Sequence, residues 1–137
     1  MCYFRIAVVG GRKFDDYRRM ASVMNSFIDI HKEKDICIVS GGARGADSLA
    51  ERYANENNIK LQVFPADWSR FGKVAGFIRN QEIIKAADRV IAFWDGKSAG
   101  TKHAIDEANK KDINVHVVGF GGYTKEKKKD ASQPSLL

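Results

Sequence analysis

The sequence predicts an α/β fold: a Rossmann-like three-layer sandwich with a mainly parallel sheet of five strands or slightly more. Five short apolar, β-branched runs are near-continuous in hydrophobicity, as expected of strands covered on both faces. The segments between them are 26, 21, 25 and 21 residues long, which suits parallel crossovers and not hairpins. The runs, in chain order, are Tyr3–Val9, Ile36–Val39, Leu61–Phe64, Val90–Phe93 and Val115–Val118.

The segments between the runs carry the spacing of amphipathic helices. Right-handed crossovers place such helices on both faces of the sheet, which gives three layers. Before the fourth run, Gly76–Ala87 predicts a less regular helix with Gly72 and Gly76 in its approach. The clearer apolar stripes are Tyr17, Met20, Met24, Phe27, Ile28 and His31; then Ala46, Leu49, Ala50, Tyr53 and Ala54; then Ala104, Ile105 and Ala108.

Length and composition indicate one globular domain. The chain has 137 residues, of which 44% are apolar and 29% charged. This apolar content is enough to form a core that needs neither a metal nor disulfide bonds. We assign residues 1–120 to this domain and residues 121–137 to a disordered basic tail with little to bury. Cys2 and Cys37 match neither a disulfide framework nor a zinc spacing, which favours a reducing, intracellular setting. No cofactor and no metal are expected.

Hydropathy and charge limit the classes of partner that the sequence allows. No apolar stretch approaches the roughly 20 residues of a membrane span, and the first residues lack the features of a signal peptide, so we predict a soluble, cytoplasmic protein without a membrane partner. Lys and Arg number 23 against 17 Asp and Glu, a formal charge of +6. This excess favours anionic ligands, from nucleotides to DNA.

Glycines and charged side chains follow the predicted strands, where parallel sheets bind ligands and helix N-termini offer free N–H groups. Three glycines in five positions, 41 to 45, would let backbone approach a phosphate; the alternative is that they only make tight turns. Asp47 is interpreted as a structural first-turn residue. The candidate ligand-binding residues are Gly10, Gly11 and Arg12; Ser40, Gly41, Gly42, Arg44 and Gly45; Asp67 and Trp68; Arg79 and Asn80; and Asp95, Gly96, Lys97, Ser98, Gly100 and Thr101.

Several known motifs are absent from the sequence. The first loop lacks the G-x-G-x-x-G dinucleotide fingerprint, and Gly96-Lys97-Ser98 lacks the earlier glycine of a Walker loop. Ser40 lacks the surroundings of a nucleophile elbow, and the three histidines are too scattered for a triad or metal site. His103, near the start of the last helix, is a further residue that could reach a ligand or serve packing.

Five segments carry a family resemblance: Gly10-Gly11-Arg12, Val39–Asp47, Ala66-Asp67-Trp68, Gly72–Asn80 and Ala92–Thr101. Together they resemble the YspA-like branch of the SLOG superfamily, over about residues 3 to 118 in the same order. The resemblance implies a nucleotide pocket and no single activity. SLOG proteins include the Lonely Guy phosphoribohydrolases, the DprA proteins that bind single-stranded DNA, and domains that sense nucleotide-derived ligands in bacterial and phage conflict systems.

The catalytic residues of the Lonely Guy enzymes carry over only in part. Their P-G-G-x-G-T-x-x-E motif resembles Gly100-Thr101 here, and Arg79 stands where their helix arginine would. Their glutamate, however, falls at Ala104 of this chain, so the same acid/base mechanism is not expected. If the protein is an enzyme, the catalytic candidates are Arg79 with Glu82 or Glu107, and Asp106 is a further substitute.

Three hypotheses follow. The leading one is a sensor or sequestering module that binds a nucleotide or an ADP-ribose-like ligand between the glycine loops. The alternative is a nucleoside 5'-monophosphate phosphoribohydrolase with altered acid/base residues, and the second alternative is single-stranded nucleic-acid binding. The resemblance also implies pairing through helices, so a homodimer is expected.

Overall fold

A computed structural model describes residues 4–123 as a five-stranded sheet with helices on both faces. All strand pairs are parallel, as the crossover lengths predicted. The strands are β1 (Phe4–Gly10), β2 (Ile36–Ser40), β3 (Lys60–Val63), β4 (Arg89–Trp94) and β5 (Asn114–Gly119). The helices are α1 (Tyr17–Ile30), α2 (Ala46–Glu56), α3 (Trp68–Phe71), α4 (Ala75–Ala86) and α5 (Ala99–Lys110).

The strand order is β3-β2-β1-β4-β5, so the chain reverses its direction of winding between β1 and β4. Val9 pairs with Ala92 and Gly10 with Phe93, which brings the ends of these two strands side by side. In open α/β sheets the crevice at such a switch point is where ligands bind. The topology therefore directs attention to the loops after β1 and β4.

Two apolar layers flank the sheet. Met20 and Met24 of α1, with Tyr53 of α2, pack on one face of β1 and β4. Ile84 of α4 and Ile105 of α5 pack on the opposite face. Alternate residues of β1 supply both layers, which explains why the central runs are apolar throughout.

The approach to α4 is more structured than the sequence indicated. The short helix α3 and a 3-10 turn at Gly72–Val74 precede it, and Gly72 has a φ of 59°. The Asp67 side chain begins α3 by accepting hydrogen bonds from the Arg70 amide at 3.1 Å and from Ser69 Oγ at 2.9 Å. These turns carry little apolar periodicity, which is why the sequence pattern did not resolve them.

The cysteine interpretation was wrong in one respect: Cys37 in β2 is disulfide-bonded.

At the other end of the described chain, the predicted tail begins with a turn at Gly121 and Gly122, and the Tyr123 ring lies 5.2 Å from that of Trp94. The rest of the predicted tail lies outside the described residues. Among the helices of residues 4–123, none has the length and apolar character needed to cross a membrane.

Candidate functional site

A cleft of about 410 Å³ opens at the carboxyl ends of β1 and β4. A side chamber of about 280 Å³ adjoins it beyond β2, and Arg12, Trp68 and Arg79 line both spaces. The cleft alone is within the range of small-molecule sites. Its lining carries four cationic side chains, Arg12, Lys13, Lys73 and Arg79, against the carboxylates of Asp47 and Asp95.

The end of β1 and the start of α2 are in close contact at the floor of this edge. A Cβ on Gly10 would lie 2.6 Å from the Ala46 Cβ, so only glycine lets the helix come this near. The Ala46 amide donates to the Gly11 carbonyl at 3.2 Å, which connects the start of α2 to the loop after β1. Gly45, with a φ of 74°, makes the turn that this contact requires.

The loop after β2 uses its amides internally. The Gly42 amide donates to Ser40 Oγ at 3.2 Å, and the Ala43 amide donates to Asp47 Oδ2 at 3.1 Å. Ser40 is fully buried, and its hydroxyl donates to Glu51 Oε2 at 2.9 Å. The amides of Gly42 and Ala43 therefore have partners inside the protein and hold the loop in shape.

Asp47 lies between this loop and the cleft. Its side chain is 6% exposed, and burial raises its pKa from 3.8 to about 6, although the Ala43 amide and the nearby Arg79 oppose the rise. The carboxylate therefore changes charge close to neutral pH. Asp47 has the structural role expected of it, and it also lines the cleft.

Arg79 of α4 is the cation most firmly held in the cleft wall. Its Nη1 donates to the Gly41 carbonyl at 2.8 Å, and its Nε donates to Asn80 Oδ1 at 3.1 Å. Burial lowers its pKa, and Asp47 partly offsets this effect. A Cβ on Gly41 would lie 2.6 Å from Arg79 Nη1, so this glycine makes room for the guanidinium.

The loop after β4 is held by side chains. Asp95 Oδ1 accepts from the amides of Lys97 at 2.9 Å and Ser98 at 2.8 Å, and these bonds lower the pKa of Asp95. Ser98 Oγ caps α5 by accepting from the Thr101 amide at 3.4 Å and the Thr101 hydroxyl at 3.2 Å. Here too, backbone amides that follow a strand donate to oxygens of the protein itself.

Two exposed aromatic rings stand at the cleft. Trp68 of α3 is 50% exposed and Phe77 of α4 is 42% exposed, and both line the cleft. The Trp68 ring lies over Gly76, where a Cβ would be 3.4 Å from its Cη2 atom. Lys73 lies between these aromatics in sequence and also lines the cleft. Rings in this setting can stack on a planar base.

The structure brings thirteen of the eighteen predicted ligand-binding residues to the two spaces. Those on the main cleft are Gly10, Gly11, Arg12, Trp68, Arg79, Asn80, Asp95, Ser98, Gly100 and Thr101, and Gly41, Gly42 and Arg44 line the side chamber. Five predicted residues line neither space: Ser40 and Gly45 hold the loop after β2, Asp67 caps α3, and Gly96 and Lys97 lie in the loop after β4.

The two glutamates proposed as catalytic substitutes line neither space. Glu82 is exposed on α4, about 120° around the helix from Gly76, which faces the cleft. Glu107 lies six residues after Thr101 on α5, about 9 Å along the helix, and contacts Lys110 at 3.3 Å. Arg79 is the member of the predicted catalytic set that does line the cleft.

Eight residues on the cleft are not among the predicted ligand-binding residues: Val9, Lys13, Ala43, Asp47, Lys73, Gly76, Phe77 and Ile83. A helical signal was available for part of this set. Gly76, Arg79, Asn80 and Ile83 follow the i, i+3, i+4, i+7 spacing of one helix face, and all of them line the cleft. Within residues 4–123, no group of three or more histidine, cysteine or acidic side chains could hold a metal ion.

Comparisons with known proteins agree with this architecture. The sequence model of the YspA, cpYpsA-related SLOG family matches residues 4–71. The Gene 61 protein of Mycobacterium phage D29 is 37% identical over 125 residues, which cover 85% of this chain and 96% of that protein.

Two solved structures share the fold. DNA processing protein A from Helicobacter pylori, described for its single-stranded DNA binding mode, superposes with a TM-score of 0.70 at 18% identity, over 97% of this chain and 74% of that one. DNA processing protein A from Streptococcus pneumoniae gives a TM-score of 0.69 at 19% identity, over 96% of this chain and 55% of that one. At these identities the similarity establishes the fold alone.

Proposed function

Because the chain belongs to the YspA, cpYpsA-related SLOG family, we propose that it binds a nucleotide or an ADP-ribose-like ligand in the cleft at the ends of β1 and β4, as a sensor or sequestering module. One observation carries the proposal: two glycine-bearing loops and two helix starts converge on one basic cleft at the switch point of the sheet.

The phosphate contacts fall mainly to side chains in this proposal. The amides of Gly42, Ala43, Lys97 and Ser98 already have partners inside the protein. Arg12 and Arg79 line both the cleft and the side chamber, so they are placed to meet an anion that spans the two. Trp68 and Phe77 would stack on the base.

The first experiment measures ligand-induced stabilisation. Purified protein is heated with AMP, ADP, ADP-ribose, cyclic nucleotides and inorganic phosphate, each in turn. A true ligand at a hundredfold excess over its Kd stabilises the fold by about 2.7 kcal/mol. An absence of any response across this panel would count against the proposal.

Arg79→Met identifies the site. The variant should weaken binding of the responding nucleotide about 10- to 100-fold, because a charge-assisted hydrogen bond is lost. Lys85→Met is the matched control, since Lys85 is an exposed cation on the same helix and lines neither space. Equal effects of the two changes would place the ligand elsewhere. The comparison uses Kd, because Arg79→Met also removes the bond to the Gly41 carbonyl and lowers stability.

Asp47 favours nucleoside-monophosphate hydrolysis as a second candidate function. It is a buried carboxylate on the cleft whose pKa is raised to about 6, the range in which a general acid works near neutral pH. Release of free base from AMP, lost in Asp47→Asn, would support hydrolysis. Persistent AMP binding without base release would reject it.

The exposed aromatics and lysines on the cleft favour single-stranded nucleic-acid binding as a third candidate. A short oligothymidylate titrated at several salt concentrations tests it, because each phosphate contact adds a unit or so to the slope of log K against log salt. A flat salt dependence, or no binding, would reject it. The homodimer and the cytoplasmic location also stay proposals, and sedimentation velocity measures the first.

A further inference from the structure

His103 on α5 lies behind the cleft wall and contacts two residues that line the cleft, although it does not line the cleft itself. Its Nδ1 is 3.4 Å from Asn80 Nδ2, and its ring centroid is 4.6 Å from that of Phe77. Its side chain is 24% exposed. The contact with Asn80 connects it to Arg79, because Arg79 Nε donates to the same amide.

The orientation of the Asn80 amide follows from what its partners can do. Arg79 Nε can only donate, so the atom 3.1 Å from it is the amide oxygen. The Gly100 carbonyl can only accept, so the atom 3.0 Å from it is the amide nitrogen. That nitrogen has a second hydrogen, and His103 Nδ1 is the acceptor beside it.

The same logic fixes the histidine tautomer. If Nδ1 accepts from Asn80, the ring proton is on Nε2. Nε2 faces Glu107 Oε2 at 4.0 Å, and Lys110 Nζ contacts the same oxygen at 3.3 Å. A carboxylate next to Nε2 favours a proton on that nitrogen, which keeps Nδ1 free to accept. Hydrogen bonds therefore link His103 through Asn80 to Arg79, and Glu107 lies next to the outer end of this chain.

We propose that His103 is a positioning residue for the candidate site. By accepting a hydrogen bond from Asn80, it holds the amide in the one orientation that presents oxygen to Arg79 and so fixes the guanidinium before a ligand arrives. This inference rests on the proposed function, in which Arg79 meets an anionic group. A side chain ordered in advance loses less entropy on binding, so His103 raises affinity without touching the ligand.

Two variants separate the hydrogen bond from packing. His103→Asn keeps an acceptor oxygen near the position of Nδ1 but removes the ring that contacts Phe77. His103→Phe keeps a ring against Phe77 but has no acceptor for Asn80. With AMP and ADP-ribose as probes in calorimetric titrations, His103→Phe should bind about 5- to 10-fold more weakly, and His103→Asn should stay within about twofold of the parent. The reverse order would overturn the proposal.

A double-mutant cycle tests the route of the effect. In an Asn80→Ala background His103→Phe should change Kd no further, because the amide through which it acts is gone. Additive losses would mean that His103 acts on the ligand by another route, and the proposal would be wrong.

A ligand-free measurement keeps this inference separate from the proposed function. In the unliganded protein, the Arg79 Nε–H should exchange with solvent as slowly in His103→Asn as in the parent, and faster in His103→Phe, because its Asn80 acceptor is then no longer held in place. Unchanged exchange in His103→Phe would overturn the positioning role even if nucleotides bind. If neither probe binds the parent protein while this exchange responds as expected, the positioning role stands and the nucleotide proposal fails for those probes.

Discussion

The loop from β2 into α2 and the loop from β4 into α5 both border the cleft, but the helices that follow them begin differently. In the first loop, from β2 into α2, Gly42 and Gly45 have φ values of 75° and 74°. Gly45 is the cap residue of α2 and has no side chain with which to cap the helix. In the second loop Ser98 caps α5, and Asp95 binds two amides. Both loops contain a positive-φ glycine, since Gly96 in the second has a φ of 81°, but only the second loop supplies a side-chain cap to the helix that follows it.

This difference has a consequence for ligand binding. Both loops satisfy amides with a carboxylate of their own, Asp47 in the first and Asp95 in the second. Asp47 is buried with its pKa raised to about 6, whereas hydrogen bonds lower the pKa of the more exposed Asp95. The first loop can therefore lose its internal negative charge near neutral pH, and the second retains it.

The largest predicted effect comes from adding a methyl group to a glycine at the start of each helix. Gly45→Ala should cost about 3–5 kcal/mol of unfolding free energy, because the new Cβ would collide with Gly11 and Arg12 backbone at a positive φ. Gly100→Ala is the matched change in the first turn of α5, directly after the second loop, where a Cβ meets nothing within 4 Å. As the second residue of α5, it should gain a few tenths of a kcal/mol to about 1 kcal/mol.

Urea denaturation of both variants measures this contrast. Similar losses of unfolding free energy at the two glycines would show that the two helix starts are equally crowded, which would contradict the difference between them. A loss at Gly45 with a gain at Gly100 would instead support the separate roles of the two loops.

Asp47→Asn should have the next largest effect. Because the folded pKa of Asp47 is raised to about 6 from 3.8, the folded state binds more protons than the unfolded state between those values, and stability falls as pH rises through this window. Replacement by asparagine removes that cost, and the variant should be about 1–3 kcal/mol more stable than the parent at pH near 8. The two proteins should converge at pH near 4.

The measurement is denaturation at several pH values between about 4 and 8. Nucleotide affinity offers a second reading, because protonation of Asp47 removes a negative charge from the cleft. ADP-ribose is the probe, because its diphosphate keeps its charge through pH 6, unlike a phosphate monoester. Its binding to the parent should tighten on acidification through pH 6, and this tightening should be absent in Asp47→Asn. A pH-independent difference in stability between the two proteins would contradict the assigned pKa.

The fold was predictable because its strongest signals are local. The central runs are apolar on both faces, and the lengths between them permit only parallel crossovers. The edge strand β3 is less regular, with three of its four residues exposed, and its predicted bounds differ from the observed ones by one residue at each end. The sheet edge that carries the cleft followed from this topology alone.

The details of the site depended on distant parts of the chain. Asp47 reads in sequence as a first-turn acid that favours the helix dipole, and only the folded path of Gly42 and Ala43 shows that its carboxylate occupies a loop amide. Lys73 reaches the cleft from the 3-10 turn and Phe77 from the first turn of α4, and the short turns of α3 and the 3-10 segment before them leave no apolar period. Glycine positions were therefore visible from sequence, but the partners of their amides were not.

Asp95→Ala is the smallest predicted effect, and it tests the second loop directly. Loss of the two bonds to the Lys97 and Ser98 amides should cost about 1 kcal/mol at neutral pH, as for an ordinary capping side chain. The lowered pKa of Asp95 means that this contribution is present above its ordinary value of 3.8 and is lost as pH falls through the folded value. Denaturation of parent and variant should therefore differ at pH 7 and agree near pH 2. A difference of the same size at pH 7 and near pH 2 would contradict the role of the Asp95 carboxylate in holding the second loop.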